Sequence, residues 1–288
     1  MTDHDPIAAG AIAFALQTLR LTLWLVFLVC VFVPLERLFA LHPARLWRKQ
    51  AGVDLGWYVI NSLLPAVILA VPIAALSRAL RGLDPAGLYS AVAAWPLWLK
   101  TIAVLVVSDF GAYWGHRALH SVPFLWRFHA VHHSAEQMDW LVNSRAHPFD
   151  IVLTRLAGLA PVYLLGLGQA RGGQIDPAIA AITIAGMTWT FFIHANVRCR
   201  LGPLEWLVSS PAFHHWHHTN DKHRDRNFAA LFPWIDRLFG TAWLPKYWPA
   251  VYGTDTKVAS SLTGQLLDPL GPKPECRSFP QKGGETPG

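Results

Sequence analysis

Residues 109–133 read D-F-G-A-Y-W-G-H-R-A-L-H-S-V-P-F-L-W-R-F-H-A-V-H-H, from Asp109 to His133, and five of the chain's fourteen histidines fall in the last eighteen of these positions. They form an H-x3-H pair (His116, His120) and an H-x2-H-H block (His129, His132, His133). Helical residues three and four apart lie on one face, about 5–6 Å between Cβ atoms, so His116 and His120 can converge on one point. At about 100° per residue, His132 sits near −60° and His133 near +40° of His129, so all three share a face. Pro123 between the two groups favours a turn that folds the second back onto the first. A second H-x2-H-H (His214, His217, His218) follows far downstream. Imidazole is the commonest metal-ligating side chain, and three such blocks read as one polynuclear metal site.

The rest of the chain explains where such a site can sit. Of 288 residues, 53% are hydrophobic and only 15% charged, against about 25% charged in a soluble domain. The apolar residues lie in long runs, as in a polytopic membrane protein, and the net charge of +6 and fourteen tryptophans fit that class. The basic residues form no dense stripe, which argues against a nucleic-acid partner. Cys30, Cys199 and Cys276 lie far apart, with no C-x-x-C, and give no redox pair, zinc knuckle or disulfide framework. The opening M-T-D-H-D-P lacks the basic region of a secretory signal, so the first apolar run reads as a retained span.

A span needs about 20 mainly apolar residues. Ala15 to Leu35 qualifies if Arg20 snorkels, and Leu55 to Leu76 carries no charge, with Pro65 and Pro72 expected to bend it. Leu88 to Leu99 is short and reads as interfacial or re-entrant. Thr101 to Trp114 runs into the first histidine pair as one helix. Ile151 to Gly168 and Ala178 to Ile193 form a hairpin through G-Q-A-R-G-G-Q-I-D-P. The expectation is an all-α membrane bundle of four or five transmembrane helices with a histidine-rich helical cap over 203–252. Residues 1–100 read as an N-terminal membrane region, 101–252 as the catalytic region and 253–288, rich in proline and glycine, as a disordered tail. Arg37, Arg45, Arg48 and Lys49 place the loop after the first span in the cytoplasm. Alternation then delivers every histidine block to that same side, and a bacterial inner membrane is the expected location.

Nine well-spaced imidazoles are available: His116, His120, His129, His132, His133, His194, His214, His217 and His218. A structural zinc closes with four ligands, so nine indicate two metals, and nitrogen donors alone do not choose among iron, zinc, copper and nickel. A membrane zinc hydrolase is a second reading, although H-E-x-x-H and G-x-S-x-G are absent. A metal transporter or sensor is a third, but transporters place ligands near the bilayer midplane, whereas here only Asp109 lies inside a span.

The segments H-R-A-L-H, F-H-A-V-H-H-S, D-W-L-V-N-S-R-A-H-P, F-I-H-A-N-V-R, G-P-L-E-W, F-H-H-W-H-H-T-N and W-I-D-R-L-F-G-T together closely resemble the sterol desaturase/fatty acid hydroxylase superfamily, from about Asp109 to Thr241. The resemblance implies an integral-membrane di-iron enzyme that hydroxylates or desaturates a membrane lipid. It implies two iron ions, with zinc a possible replacement, on the nine histidines, and O2 with electrons from a partner in trans, since the chain carries no haem or flavin motif. The di-metal centre itself would be catalytic, with no separate acid or base. One departure is Arg198, which stands where some fatty-acid 2-hydroxylases complete a further H-x3-H begun at the position of His194.

Five other residues are expected to support the site or meet substrate. Asp109 shares a face with Tyr113 and His116, and an acid within a span is costly and functional by default; its expected role is to accept a hydrogen bond from a ligand histidine. His215 lies about 100° off the ligand face, and His147, Asn196 and Arg145 lie beside the histidine segments.

Overall fold

The first apolar run and the turn after Arg37 set the frame. In the computed structural model, which describes residues 6–43, 45, 47–80, 82–168 and 177–271 (backbone only for 6–11 and 177–183), this run is one helix, α1 (Pro6–Leu38). It is followed by α2 (Ala51–Leu80), continuous across Pro65 and Pro72, the short α3 (Leu88–Ala93), and α4 (Leu97–Ser121). Then come α5 (Pro123–His133), α6 (Pro148–Leu164), α7 (Pro177–His194), α8 (Pro211–His217), α9 (Pro233–Leu238) and α10 (Leu262–Leu267). Among the described residues there are no β-strands, only two isolated bridges, Ala40 with Val197 and Thr219 with Tyr252.

Three helices, over Ile12–Leu38, Ala51–Leu80 and Leu97–Ser121, are long and apolar enough to cross a membrane. The two remaining expected spans are helices α6 and α7, of 17 and 18 residues, at the short limit for a crossing. The loop expected to join them falls at 169–176, outside the described residues. Leu16, Leu19, Leu23 and Val26 on α1, and Val67 and Val71 on α2, are exposed, as lipid-facing side chains are.

The closest helix contact is α4 on α6, and it is made of small residues. A Cβ on Gly111 would stand 2.2 Å from the Ala157 carbonyl oxygen, and one on Gly115 would stand 2.7 Å from the Ala157 Cβ. In lipid, where apolar surface alone gives no drive to associate, such small-x3-small stripes let backbones approach. This contact fixes α4 one residue before His116. Pro123 occupies the first turn of α5 after an extended Val122, which reverses the chain as its sequence requires.

Polar ties hold the other helix ends to the same region. Tyr58 donates to the Leu21 carbonyl (2.8 Å), joining α2 to α1, and Asn61 donates to the Ser144 and Ala146 carbonyls (2.9 and 2.8 Å). The buried Arg145 guanidinium pairs with Asp54 (2.6 Å), and Arg48 pairs with both Asp54 and Asp139. A buried charge lacking its partner is severely destabilising, so this network pins 139–145 against the start of α2.

Residues 253–271, expected to belong to a disordered tail, are ordered. Ser261 caps α10; the buried Gln265 accepts a 2.6 Å bond from Trp57 Nε1 and donates to the Ala259 carbonyl. Composition was a poor guide because this stretch is held by polar contacts to α2 rather than by an apolar core of its own. Residues 272–288 lie outside the described set.

Candidate metal centre

All nine candidate histidines come together, in two groups. His116, His120, His129, His133 and His217 form one; His132, His194, His214 and His218 form the other, and in each group the potential ligand nitrogens lie within 4.8 Å of one another. The partition crosses the sequence blocks. In 129–133 the i and i+4 residues join the five-histidine group and His132 the other; in 214–218 the i and i+4 residues join the four-histidine group and His217 the other. Each H-x2-H-H block thus straddles both groups: its i+3 and i+4 side chains fall on opposite sides of residue i, and the rotation of α5 against α8 decides which group each joins.

The tautomers follow from what the outer nitrogens touch. Nδ1 of His116, His132, His194 and His217 contacts the backbone carbonyls of Phe228 (2.8 Å), Arg145 (2.8 Å), Thr190 (2.7 Å) and Arg226 (2.8 Å). A carbonyl only accepts, so each Nδ1 carries the proton and each Nε2 of the neutral ring presents a lone pair. Two of these Nε2 atoms face each other, His194 to His132 at 3.2 Å; His116 Nε2 faces that of His129, whose Nδ1 is bonded to Asp150, at 3.1 Å, and His217 and His194 face His133 and His214 at 3.1 and 3.0 Å. In the His132–His194 pair neither ring has a proton for the contact, and lone pairs at that range repel unless a cation lies among them. His120 Nε2 is buried with no hydrogen-bond partner among the described residues, as a free donor would be. The donor set therefore fits metal ions.

For His132, His133, His214, His217 and His218, protonation is disfavoured. Burial, then the neighbouring His129 charge, pushes His132 down to about 4. Burial, then other histidines of the site, holds His133, His214 and His218 well below the ordinary imidazole value. His217 is lowered likewise, by burial and by His116.

Two carboxylates orient ligand candidates, and neither was anticipated. Asp150, in the first turn of α6, accepts from His129 Nδ1 at 2.7 Å, and Asp225 contacts His120 Nδ1 at 3.1 Å. An acid in the first turn of a helix is so ordinary a capping residue that Asp150, two residues past the end of the quoted R-A-H-P segment, carries no distinguishing mark. Asp109, expected in this role, does something else: its carboxylate accepts from the backbone N–H groups of Ala230, Leu231 and Phe232 at 2.8–3.3 Å. It anchors the cap to α4. The helical face was read correctly, but the loop that meets Asp109 there was not visible in local spacing.

The other expected supporting residues hold backbone in place. His215 is buried, touching Tyr252 Oη (2.9 Å) and the Ala195 carbonyl (3.1 Å), which ties α8 to the residue after His194. Asn196 bridges to the His42 backbone (2.7 and 3.0 Å). Arg145 acts through its carbonyl on His132 and its side chain on Asp54. His147 caps α6 by accepting from Phe149 N–H (3.1 Å), and Nε2 contacts the Leu266 carbonyl (3.2 Å); it belongs to neither group.

A cavity of ≈ 940 Å³, lined mainly by apolar side chains of α1, α2, α6 and α7, has His116, His129, His132, His194 and His214 in its wall. Leu23 and Phe27 of α1 line it and are also exposed, so it reaches the outer surface of the bundle.

Residues 101–241 match the model of the fatty acid hydroxylase family. The chain belongs to this family. All nine histidines fall inside the fatty acid hydroxylase match, whereas α1, α2 and α10, which complete the cavity or buttress Arg145 and His147, fall outside it. The ornithine lipid hydroxylase OlsE of Rhizobium tropici is 34% identical over 185 residues, 62% of this chain and 53% of that protein. The alkylglycerol monooxygenase of Xenopus tropicalis is 30% identical over 161 residues, 55% of this chain and 33% of that protein. The putative Delta(7)-sterol-C5(6)-desaturase 2 of Arabidopsis thaliana is 26% identical over 156 residues, 52% of this chain and 51% of that protein. The aligned part of the chain thus spans a third to about half of these relatives. No solved structure gives a significant match.

Proposed function

We propose that this fatty acid hydroxylase family member is a membrane-bound di-iron monooxygenase that hydroxylates a lipid at the expense of O2 and two electrons. The observation that carries the reading is the pair of imidazole groups, one of five and one of four, bordering an apolar cavity open to the side of the bundle. Two groups with all-nitrogen donors suit two first-row ions better than one tetrahedral zinc, the relatives named as hydroxylase and monooxygenase support O2 chemistry, and iron is the ion this reading assigns. Bound iron would supply the oxidising power for an unactivated C–H bond.

The chain's own part is then to bind, orient and exclude water. The carbonyls of Phe228, Arg145, Thr190 and Arg226, with Asp150, hold the imidazoles as neutral donors. The cavity admits a lipid chain sideways and presents it to the histidine wall. Electrons come from a separate protein, and the site faces the cytoplasm of a bacterial inner membrane, in keeping with Arg37, Arg45 and Arg48 at the same end of the bundle.

Lipid mass spectrometry of cells with and without the protein tests the reading. One lipid class should gain the mass of a single oxygen atom. Loss of two hydrogens would reassign the enzyme as a desaturase, and an unchanged lipidome with a metal-loaded protein would contradict an oxygenase.

A further inference from the structure

Three charged side chains line the cavity: Asp150, Arg20 and Arg155. Asp150 is turned to His129. The two arginines have no hydrogen-bond or ion-pair partner among the described residues, and the remaining lining is apolar or neutral apart from the histidines themselves. A guanidinium carries five donors in a planar fork and stays charged. Facing an apolar space between helices without an acceptor is costly, and in a membrane protein such a residue marks a functional path by default.

Their placement is informative. Asp150, Ile151, Thr154 and Arg155 all line the cavity, the i, i+1, i+4, i+5 pattern of one helix face. Five residues of helix rise about 7.5 Å, so Arg155 stands little more than a turn from the carboxylate that holds His129. Arg20 lies on α1 with Trp24 and Phe27, which also line the cavity, at the exposed edge where Tyr58 grips the Leu21 carbonyl. One cation is thus half-buried on the Asp150 face of α6 and one is exposed on α1.

We propose that Arg155, assisted by Arg20, binds the anionic group of the substrate, so that the substrate class is a carboxylate- or phosphate-bearing lipid oxidised at a carbon near its charged end. The proposal rests on the oxygenase reading for the word substrate. An anion held by Arg155 leaves room for only a few carbon–carbon bonds before the histidine wall, whereas the far end of a long chain would lie out of reach along α1. A fork that can bind either oxyanion bidentately does not by itself choose carboxylate over phosphate.

The test reads binding. Metal-loaded protein in micelles is offered an N-acyl amino acid, a lysophosphatidic acid and a monoacylglycerol of equal chain length, and retained lipid is quantified by native mass spectrometry. The wild type should retain one of the two anionic probes about tenfold over the monoacylglycerol, and which one it prefers identifies carboxylate or phosphate. Arg155→Gln should lose that preference with its metal content intact, and Arg155→Lys should keep part of it. A wild type indifferent to charge, or an Arg155→Gln protein with full metal and an unchanged preference, overturns the proposal. Failure of the oxygenase reading looks different: the preference persists but no lipid is ever oxidised. If instead only this proposal fails, an uncharged lipid is oxidised with the same KM by wild type and Arg155→Gln.

Discussion

His132 and His194 meet Nε2 to Nε2 at 3.2 Å while each Nδ1 donates to a backbone carbonyl, of Arg145 and Thr190. Neither ring has a proton for the contact. The two residues lie on different helices and 62 positions apart, so the arrangement is built by the tertiary fold, and removal of either ring should cost the four-histidine group its ion.

That group assignment makes a prediction that sequence neighbours alone would not. His132→Ala with His218→Ala touches one group and should leave about one ion per chain, no fewer than His132→Ala alone. His132→Ala with His133→Ala, adjacent in sequence, touches both groups and should leave almost none. Metal content by plasma mass spectrometry, with circular dichroism confirming the helices, checks both.

Asp150 and Asp109 should separate cleanly. Asp150→Asn removes the charge that polarises His129 and should weaken metal affinity by about 10–100-fold, read by chelator competition. Asp109→Asn weakens the grip on the Ala230–Phe232 backbone and should cost about 1.5–3 kcal/mol of stability, with a smaller effect on affinity.

The approach of α4 to α6 is equally exposed to test. Gly111→Ala drives a methyl into the Ala157 carbonyl and should destabilise by about 1–3 kcal/mol, with weaker metal retention because His116 follows on the same helix. Gly186→Ala on α7 meets nothing within 4 Å and should stabilise slightly through helix propensity. Thermal unfolding in detergent gives both values.

Tyr252→Phe leaves the buried His215 Nδ1 without its partner and should cost about 1–3 kcal/mol. Its metal content should hold, since His215 contacts the Ala195 carbonyl and belongs to neither group.

Much of this site was legible in the sequence because helical spacing converts directly into shared faces. The shared faces of the three histidine blocks and the off-face position of His215 follow from a 100° step, and the reversal at Pro123 from the restriction proline places on the chain. The crossing of blocks between the two groups does not follow, because it depends on how α5 and α8 are rotated against each other. Asp150 and Asp225 were missed for the same reason: their partners, His129 and His120, lie 21 and 105 residues away. Asp109 shows the converse. Its burial was foreseen, but its acceptor role is directed to the backbone of Ala230–Phe232, on a loop whose path only the assembled cap defines. The order of 253–271 was hidden because proline- and glycine-rich composition says nothing of the bond Gln265 makes to Trp57.

The most direct test is elemental analysis of protein purified without oxygen from iron-replete cells, counted per chain. Two cages of neutral imidazole predict about two irons per chain, both lost in the His132→Ala/His133→Ala double variant. A single zinc, or iron that survives that double replacement, would contradict the account.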